Sequence, residues 1–323
     1  MAVIGAITRL TESGLSIMEW APISGSLPPL SLAEWERLFA LYRTIPEYQQ
    51  INAGMSLEEF QTIFWWEWVH RLWGRLIGLV YALPFFWFLW RRRVPAWLVP
   101  HLWVALALGG LQGFMGWFMV ASGFADRTDV SQYRLVLHLG LALAIYGYLL
   151  ILALRLLEPE AGEGPAARGL RRGAWVLLAV LVATLASGGL VAGLNAGLVY
   201  NSYPLMDGDL IPRGYGLLSP WLANLGENVT AVQFNHRLLA HAALLGAILL
   251  WVFGRRRATT PATARALVLL PLVAAGQFVL GIVTLLSLVP VWLGALHQAG
   301  AILLLSALLL VLHRARPRRE ETA

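Results

Sequence analysis

Apolar residues in this chain fall into blocks of about 20, the length at which a helix crosses the hydrocarbon core of a bilayer. The blocks predict spans over 63–90, 97–121, 133–156, 173–194, 231–254, 265–287 and 290–313. Arginines gather at Arg91-Arg92-Arg93, at Arg168 with Arg171-Arg172, at Arg255-Arg256-Arg257 and from Arg314 to Arg319. Tracing the chain back and forth puts all four clusters on one side, which the positive-inside rule makes the cytoplasm. The segments 11–62 and 195–230 then lie outside. Their Pro, Gly and Trp/Tyr content suits ordered loops at the interface. Met1 to Leu10 is apolar but only about half a span, and no cleavable signal pattern is present. It reads as the outer end of a first helix whose beginning is missing from this chain, with a short interfacial stub as the alternative.

The chain has 323 residues, 58% hydrophobic and 13% charged. That balance predicts an all-α polytopic membrane protein, whose helices satisfy their own backbone groups. The absence of cysteine excludes disulfides, thiolate metal sites, iron–sulfur ligation and covalent c-type haem attachment. The absence of lysine excludes Schiff-base chemistry. The net charge of +6 comes from arginines beside hydrophobic blocks, which argues against nucleic acid.

The two halves repeat each other. His70-Arg71-Leu72 runs on to Arg91-Arg92-Arg93, as His236-Arg237-Leu238 runs on to Arg255-Arg256-Arg257. Gln112 precedes Gly116 as Gln277 precedes Gly281, and His138 and His297 each lie early in the following span. Gly5 to Leu15 weakly echoes Gly189 to Leu198. The common order predicts two pseudo-symmetric four-helix bundles related by an axis along the membrane normal. In that reading most of the first helix is expected to be missing from this chain. The N-terminal half covers 1–160, with its large loop 11–62, and the C-terminal half covers 161–323.

Four histidines, His70, His138, His236 and His297, lie on four different spans. A histidine inside a membrane is a functional hypothesis by default. Each falls within about two turns of the start of its span, roughly 10 Å below the outer surface. Facing helices of a bundle build such sites, and paired neutral imidazoles give a porphyrin iron its two axial ligands. The bland alternative is four hydrogen-bonded core histidines. A bare metal site is disfavoured because no acidic cluster completes one.

Glu67 lies three residues before His70, on the same helical face. It either pairs with Arg71 or Arg75 or serves the haem site of the first half. Gln233 stands at the equivalent place in the second half, which suggests chemistry in the N-terminal half and an electron-transfer cofactor in the other. Arg71 and Arg237 either pair with haem propionates or stabilise the bundle. His241 is expected to be packed or hydrogen-bonded. His101 and His313 fall at helix ends, and Asn228-Val229-Thr230 fits a short glycosylation pattern that is common by chance.

These residues resemble the haem A synthase family, in its cysteine-free proteobacterial and mitochondrial branch. The resemblance covers nearly the whole chain. Its most specific stretch is Thr8-Arg9-Leu10-Thr11-Glu12-Ser13-Gly14-Leu15-Ser16, with Glu19-Trp20, Pro22, Gly25 and Pro28-Pro29. It continues through Pro46-Glu47-Tyr48, Asn52, Gly54-Met55 and Phe64-Trp65-Trp66-Glu67-Trp68-Val69-His70-Arg71. Ser122-Gly123, Asp126-Arg127, Arg134-Leu135 with His138, Asn195-Ala196-Gly197 and Phe234-Asn235-His236-Arg237 complete it.

The resemblance implies an oxidoreductase that converts the C8 methyl group of haem O to a formyl group. Two successive hydroxylations and loss of water would give haem A for cytochrome oxidase. It implies a haem B cofactor on His236 and His297, and the substrate haem O on His70 and His138 with Arg71 beside it. Glu67 would be the catalytic group that orients water or carries protons. Electrons would pass from the haem B site to the substrate site. If both N-terminal histidines stayed on the substrate iron, it would have no open position. Implied partners are the lipid bilayer, an electron donor and acceptor outside the chain, a haem O synthase, cytochrome oxidase assembly factors and further copies of this chain. The location implied is the bacterial plasma membrane, ahead of the mitochondrial inner membrane. The competing expectations are a di-haem, quinol-linked cytochrome b-like carrier and a haem transporter.

Overall fold

A computed structural model describes residues 1–124, 127–159, 162, 164, 167–258 and 260–317. Asp126 and the basic tail from Arg318 lie outside the described residues. Among the described residues the elements are helical: α1 (Ala2–Leu10), α2 (Leu32–Tyr42), α3 (Pro46–Gln50), α4 (Leu57–Trp90), α5 (Val99–Val120), α6 (Gln132–Leu157), α7 (Arg168–Gly193), α8 (Val229–Gly254), α9 (Pro261–Leu286) and α10 (Val291–Arg314). Seven of them, α4 to α10, are long and apolar enough to cross a membrane. The expected all-α polytopic architecture is present. The contacts divide the chain into two compact units, Met1–Ile145 and Tyr146–Ala323.

Local chemistry sets the helix starts. Ser56 and Glu59 form a reciprocal capping box, so α4 begins at Leu57, six residues before the apolar block that predicted it. Asn228 caps α8 by accepting from the Ala231 amide, and Thr260 caps α9 just before Pro261. Helix α7 starts at Arg168, so Arg168, Arg171 and Arg172 lie within it.

In the first unit, the segment between α1 and α4 is more regular than a loop. It folds into α2 and α3 over an aromatic core of Leu15, Leu38, Phe39, Tyr42, Ile45, Phe60, Phe64 and Val130. Phe39 stacks on Phe60 with ring centroids 5.0 Å apart. This core anchors the first turns of α4. Nine-residue α1 packs on α4, where Thr8 hydrogen-bonds to the carbonyls of Ile4 and Trp66. Arg9 pairs with Asp129 at 2.6 Å, tying the end of α1 to the segment that enters α6.

In the second unit, α7 to α10 pack as a closed bundle. Leu177, Leu181, Ala243, Ala247, Leu270, Leu304 and Leu308 meet at its centre. Glu158 closes one end by pairing with Arg314 and accepting from the His313 ring through its carbonyl.

Candidate functional site: two histidine pairs seated on glycines

Each of the four spanning histidines lies against a glycine of a neighbouring helix. The pairs are Gly5 of α1 with His70 of α4, Gly116 of α5 with His138 of α6, Gly188 of α7 with His236 of α8, and Gly281 of α9 with His297 of α10. A methyl group at any of these glycines would sit 2.9–3.1 Å from the histidine Cε1. Only a missing side chain lets the imidazole edge lie on the adjacent backbone. The four contacts make α1, α4, α5 and α6 the counterparts of α7, α8, α9 and α10. His70 lies within electrostatic reach of His138, as His236 does of His297.

Further partners fix the rings. Gln112 places its amide nitrogen 3.1 Å from Nδ1 of His138 and donates to the carbonyl of the same residue at 3.1 Å. Gln277 treats His297 the same way, at 3.1 and 2.9 Å. His236 Nδ1 meets Ser187 Oγ at 2.9 Å, and that hydroxyl donates to the Thr184 carbonyl. Nδ1 of His70 is buried with no hydrogen-bond partner among the described residues.

The shared arrangement of the two units is clearest around Glu67 and Gln233. Glu67 is 2% exposed. Its Oε2 accepts from Ser16 Oγ at 2.8 Å and the Ile17 amide at 2.7 Å, and its Oε1 accepts twice from Arg71. Arg71 also donates to the carbonyls of Ile17 and Glu19. Arg237 donates to the carbonyls of Tyr200 and Ser202, and Gln233 donates to that of Tyr200. So the two arginines hold corresponding stretches of backbone. In the second unit, among the described residues, no ion pair completes the arrangement, and Gln233 Oε1 and Arg237 Nε are both buried without a hydrogen-bond partner.

Glu67 is ion-paired with Arg71, while Arg75 holds the carbonyls of Ala21 and Pro22. His241 engages both ring nitrogens, with the Arg237 carbonyl and the Tyr203 hydroxyl. Asn228 is committed to capping and to Gly214 and Asn224.

Sequence reasoning missed the glycine seats as a set. It had Gly116 and Gly281 as repeat markers but matched Gly5 to Gly189. The contacts match Gly5 to Gly188, and this register brings Ile17 onto Tyr200 and Glu19 onto Ser202. A left-handed residue follows each helix at the same point, Glu12 and Asn195, both at φ 51°. Ser187 was also missed, because a lone serine in an apolar helix carries no signal until its partner is known.

The donor set suits haem. Two imidazoles converge in each unit, each with a cradle that a Cβ would fill. Among the described residues no group of three or more His, Cys, Asp or Glu side chains is placed to hold a bare metal ion.

The family model described as "Cytochrome oxidase assembly protein", COX15-CtaA, matches residues 1–309. A protein named "Heme A synthase" from Rhodospirillum centenum is 54% identical over 318 residues, 98% of this chain and 85% of that one. Another of the same name from Granulibacter bethesdensis is 51% identical over 319 residues, covering 98% and 83%. A third, from Nitrosospira multiformis, is 48% identical over 318 residues, covering 98% and 89%. No solved structure matches the chain. With a family model matching nearly its full length and relatives about half identical to it, this chain belongs to the COX15-CtaA family of cytochrome oxidase assembly proteins.

Proposed function

We infer that this chain is a haem A synthase, an oxidoreductase that converts the methyl group of haem O to the formyl group of haem A. The observation that carries the reading is the pair of glycine-seated histidine pairs, one in each unit, in a chain about half identical to proteins of that name. His236 and His297 hold haem B, which supplies electron transfer when bound. His70 and His138 hold haem O as substrate. Glu67 and Arg71 set the N-terminal site apart, since the second unit has an uncharged glutamine where Glu67 stands. Glu67 acts from a fixed position as the group that handles protons beside the substrate, with the Ser16 hydroxyl as its neighbour. Arg71 holds that carboxylate and the adjoining backbone in place.

The setting proposed is the bacterial plasma membrane, with segments 11–62 and 195–230 on the outer face. Partners of this reading are a haem O synthase supplying the substrate, cytochrome oxidase assembly factors receiving the product, an external electron acceptor, and further copies of the chain.

The test is mass analysis of non-covalent haems extracted from cells that make haem O, with and without this chain. A haem A peak that needs the chain and disappears with His70→Ala is the expected result. Unchanged haem O with haem B retained on the protein would instead favour a di-haem electron carrier.

A further inference from the structure

We propose that Tyr203, His241 and Phe278 form a lock that retains the porphyrin of the C-terminal pair, and that the matching gap at Gly113 is the opening by which the substrate porphyrin enters the N-terminal unit and the product leaves. The inference rests on the assignment of His236 and His297 to the cofactor and of His70 and His138 to the substrate.

In the second unit three rings from three stretches of chain meet. His241 lies five residues beyond His236 on α8, and Phe278 follows Gln277, the α9 residue that holds His297. Tyr203 comes from the segment between α7 and α8, one residue beyond the Ser202 carbonyl that Arg237 holds. Phe278 stands edge-on to His241, with ring centroids 4.8 Å apart and planes at 76°, and edge-on to Tyr203 at 6.4 Å. The Arg237 carbonyl lies 2.7 Å from His241 Nδ1. A carbonyl can only accept, so Nδ1 carries the proton and Nε2 is left to accept from the Tyr203 hydroxyl at 3.1 Å. His241 is exposed on a spanning helix, where an imidazole with an unmade bond would be costly. Both its nitrogens are engaged, so the ring is pinned, and with it the bridge from α8 to α9.

Among the described residues the first unit has no such bridge. By the same register Arg75 stands where His241 does, Gly113 where Phe278 does, and Trp20 where Tyr203 does. Arg75 donates to the carbonyls of Ala21 and Pro22, and Trp20 turns its ring to Trp117 at 6.4 Å. Gly113, next to the Gln112 that holds His138, has no side chain to join them, and a methyl there would meet nothing within 4 Å. A porphyrin must part three interlocked rings to pass between α8 and α9, and none to pass between α4 and α5. An enzyme that keeps one porphyrin and turns over another needs that difference.

The experiment uses the full chain purified from cells that make haem O, with apo-globin as acceptor and mass analysis identifying each haem as it transfers. In wild type, haem O and haem A are expected to transfer first and haem B last. Phe278→Ala removes two edge-on ring contacts and should speed haem B release by about 10-fold, leaving haem O release unchanged. Tyr203→Phe removes only the hydroxyl and should speed it less. Val279→Ala, at an exposed neighbour, should not change it. Gly113→Phe should slow haem O release by a similar factor, and Gly113→Leu is the smaller intrusion should the larger ring prevent loading. Unchanged haem B release in Phe278→Ala, or unchanged haem O release in the Gly113 variants, would overturn the proposal and leave the assignment of the haems standing. Haem B transferring ahead of haem O in wild type would overturn that assignment, and this inference with it.

Discussion

Arg71 grips Glu67 through two nitrogens, Nε at 3.0 Å and Nη2 at 2.6 Å, both donating to the same carboxylate oxygen. The other oxygen faces Ser16 and Ile17, so a single carboxylate joins α4 to the segment that follows α1. Removing it by Glu67→Ala leaves a largely buried guanidinium without its anion, a loss of about 3–5 kcal/mol. Thermal unfolding in detergent should show it as a lowered midpoint. Glu67→Gln keeps an acceptor at the site, as Gln233 does in the second unit, and should unfold much closer to wild type. Both variants should lose haem A production; a Gln variant with full haem A yield would confine Glu67 to a structural role.

The glycine seats predict a sharp positional effect. Gly281→Ala would force a methyl to 2.9 Å from His297 Cε1. Overpacking of this kind costs about 1–3 kcal/mol, and it should appear as lowered haem B content per protein. Gly110→Ala, where an added methyl meets nothing within 4 Å, is the matched control and should keep its haem.

Gln277 touches both the ring and the carbonyl of His297. Gln277→Leu keeps the side chain's approximate size and removes the polar contact. The His297 ring loses the contact that orients it, and haem B should be released faster, measured by haem transfer to an apo-globin acceptor. An unchanged transfer rate would mean that packing alone holds His297.

Glu47 lies outside the spans, as the buried residue of α3. Burial raises its carboxyl to about 8, and the nearby Asp129, Glu67 and Glu12 carboxylates push in the same direction. Tyr42 hydrogen-bonds to it, and its Oε2 has no partner among the described residues. The folded protein therefore keeps a proton that the unfolded chain releases above its ordinary value of 4.5. Stability from this group falls as pH rises from 4.5 to about 8 and levels off beyond. The slope is at most about 1.4 kcal/mol per pH unit. Glu47→Gln should flatten that part of the profile in melting curves taken between pH 5 and 8.

Much of this was legible in the chain itself. The seven long apolar blocks match α4 to α10 to within a few residues, because length and hydropathy alone decide a span. The histidine pairs and the Gln112/Gln277 repeat were visible because histidine and glutamine stand out in an apolar run. The α2 and α3 helices were not foreseen, since their amphipathic turns sit in a segment rich in Pro and Gly. Nor was the work of Arg71 and Arg237, whose partners include main-chain oxygens. Nothing in the identity of Ile17, Glu19, Tyr200 or Ser202 announces that its carbonyl is used.

That choice of partner bears on how different the two units can be in sequence. A carbonyl oxygen is common to every residue type, so an arginine that reads only backbone leaves the side chains it passes free to vary. Ile17 and Tyr200, or Glu19 and Ser202, have nothing in common beyond the main chain, yet each pair is held by the corresponding arginine. Substitutions among these four that preserve the path of the chain should leave the latch intact. An acid in one unit and an amide in the other thus sit on the same backbone latch.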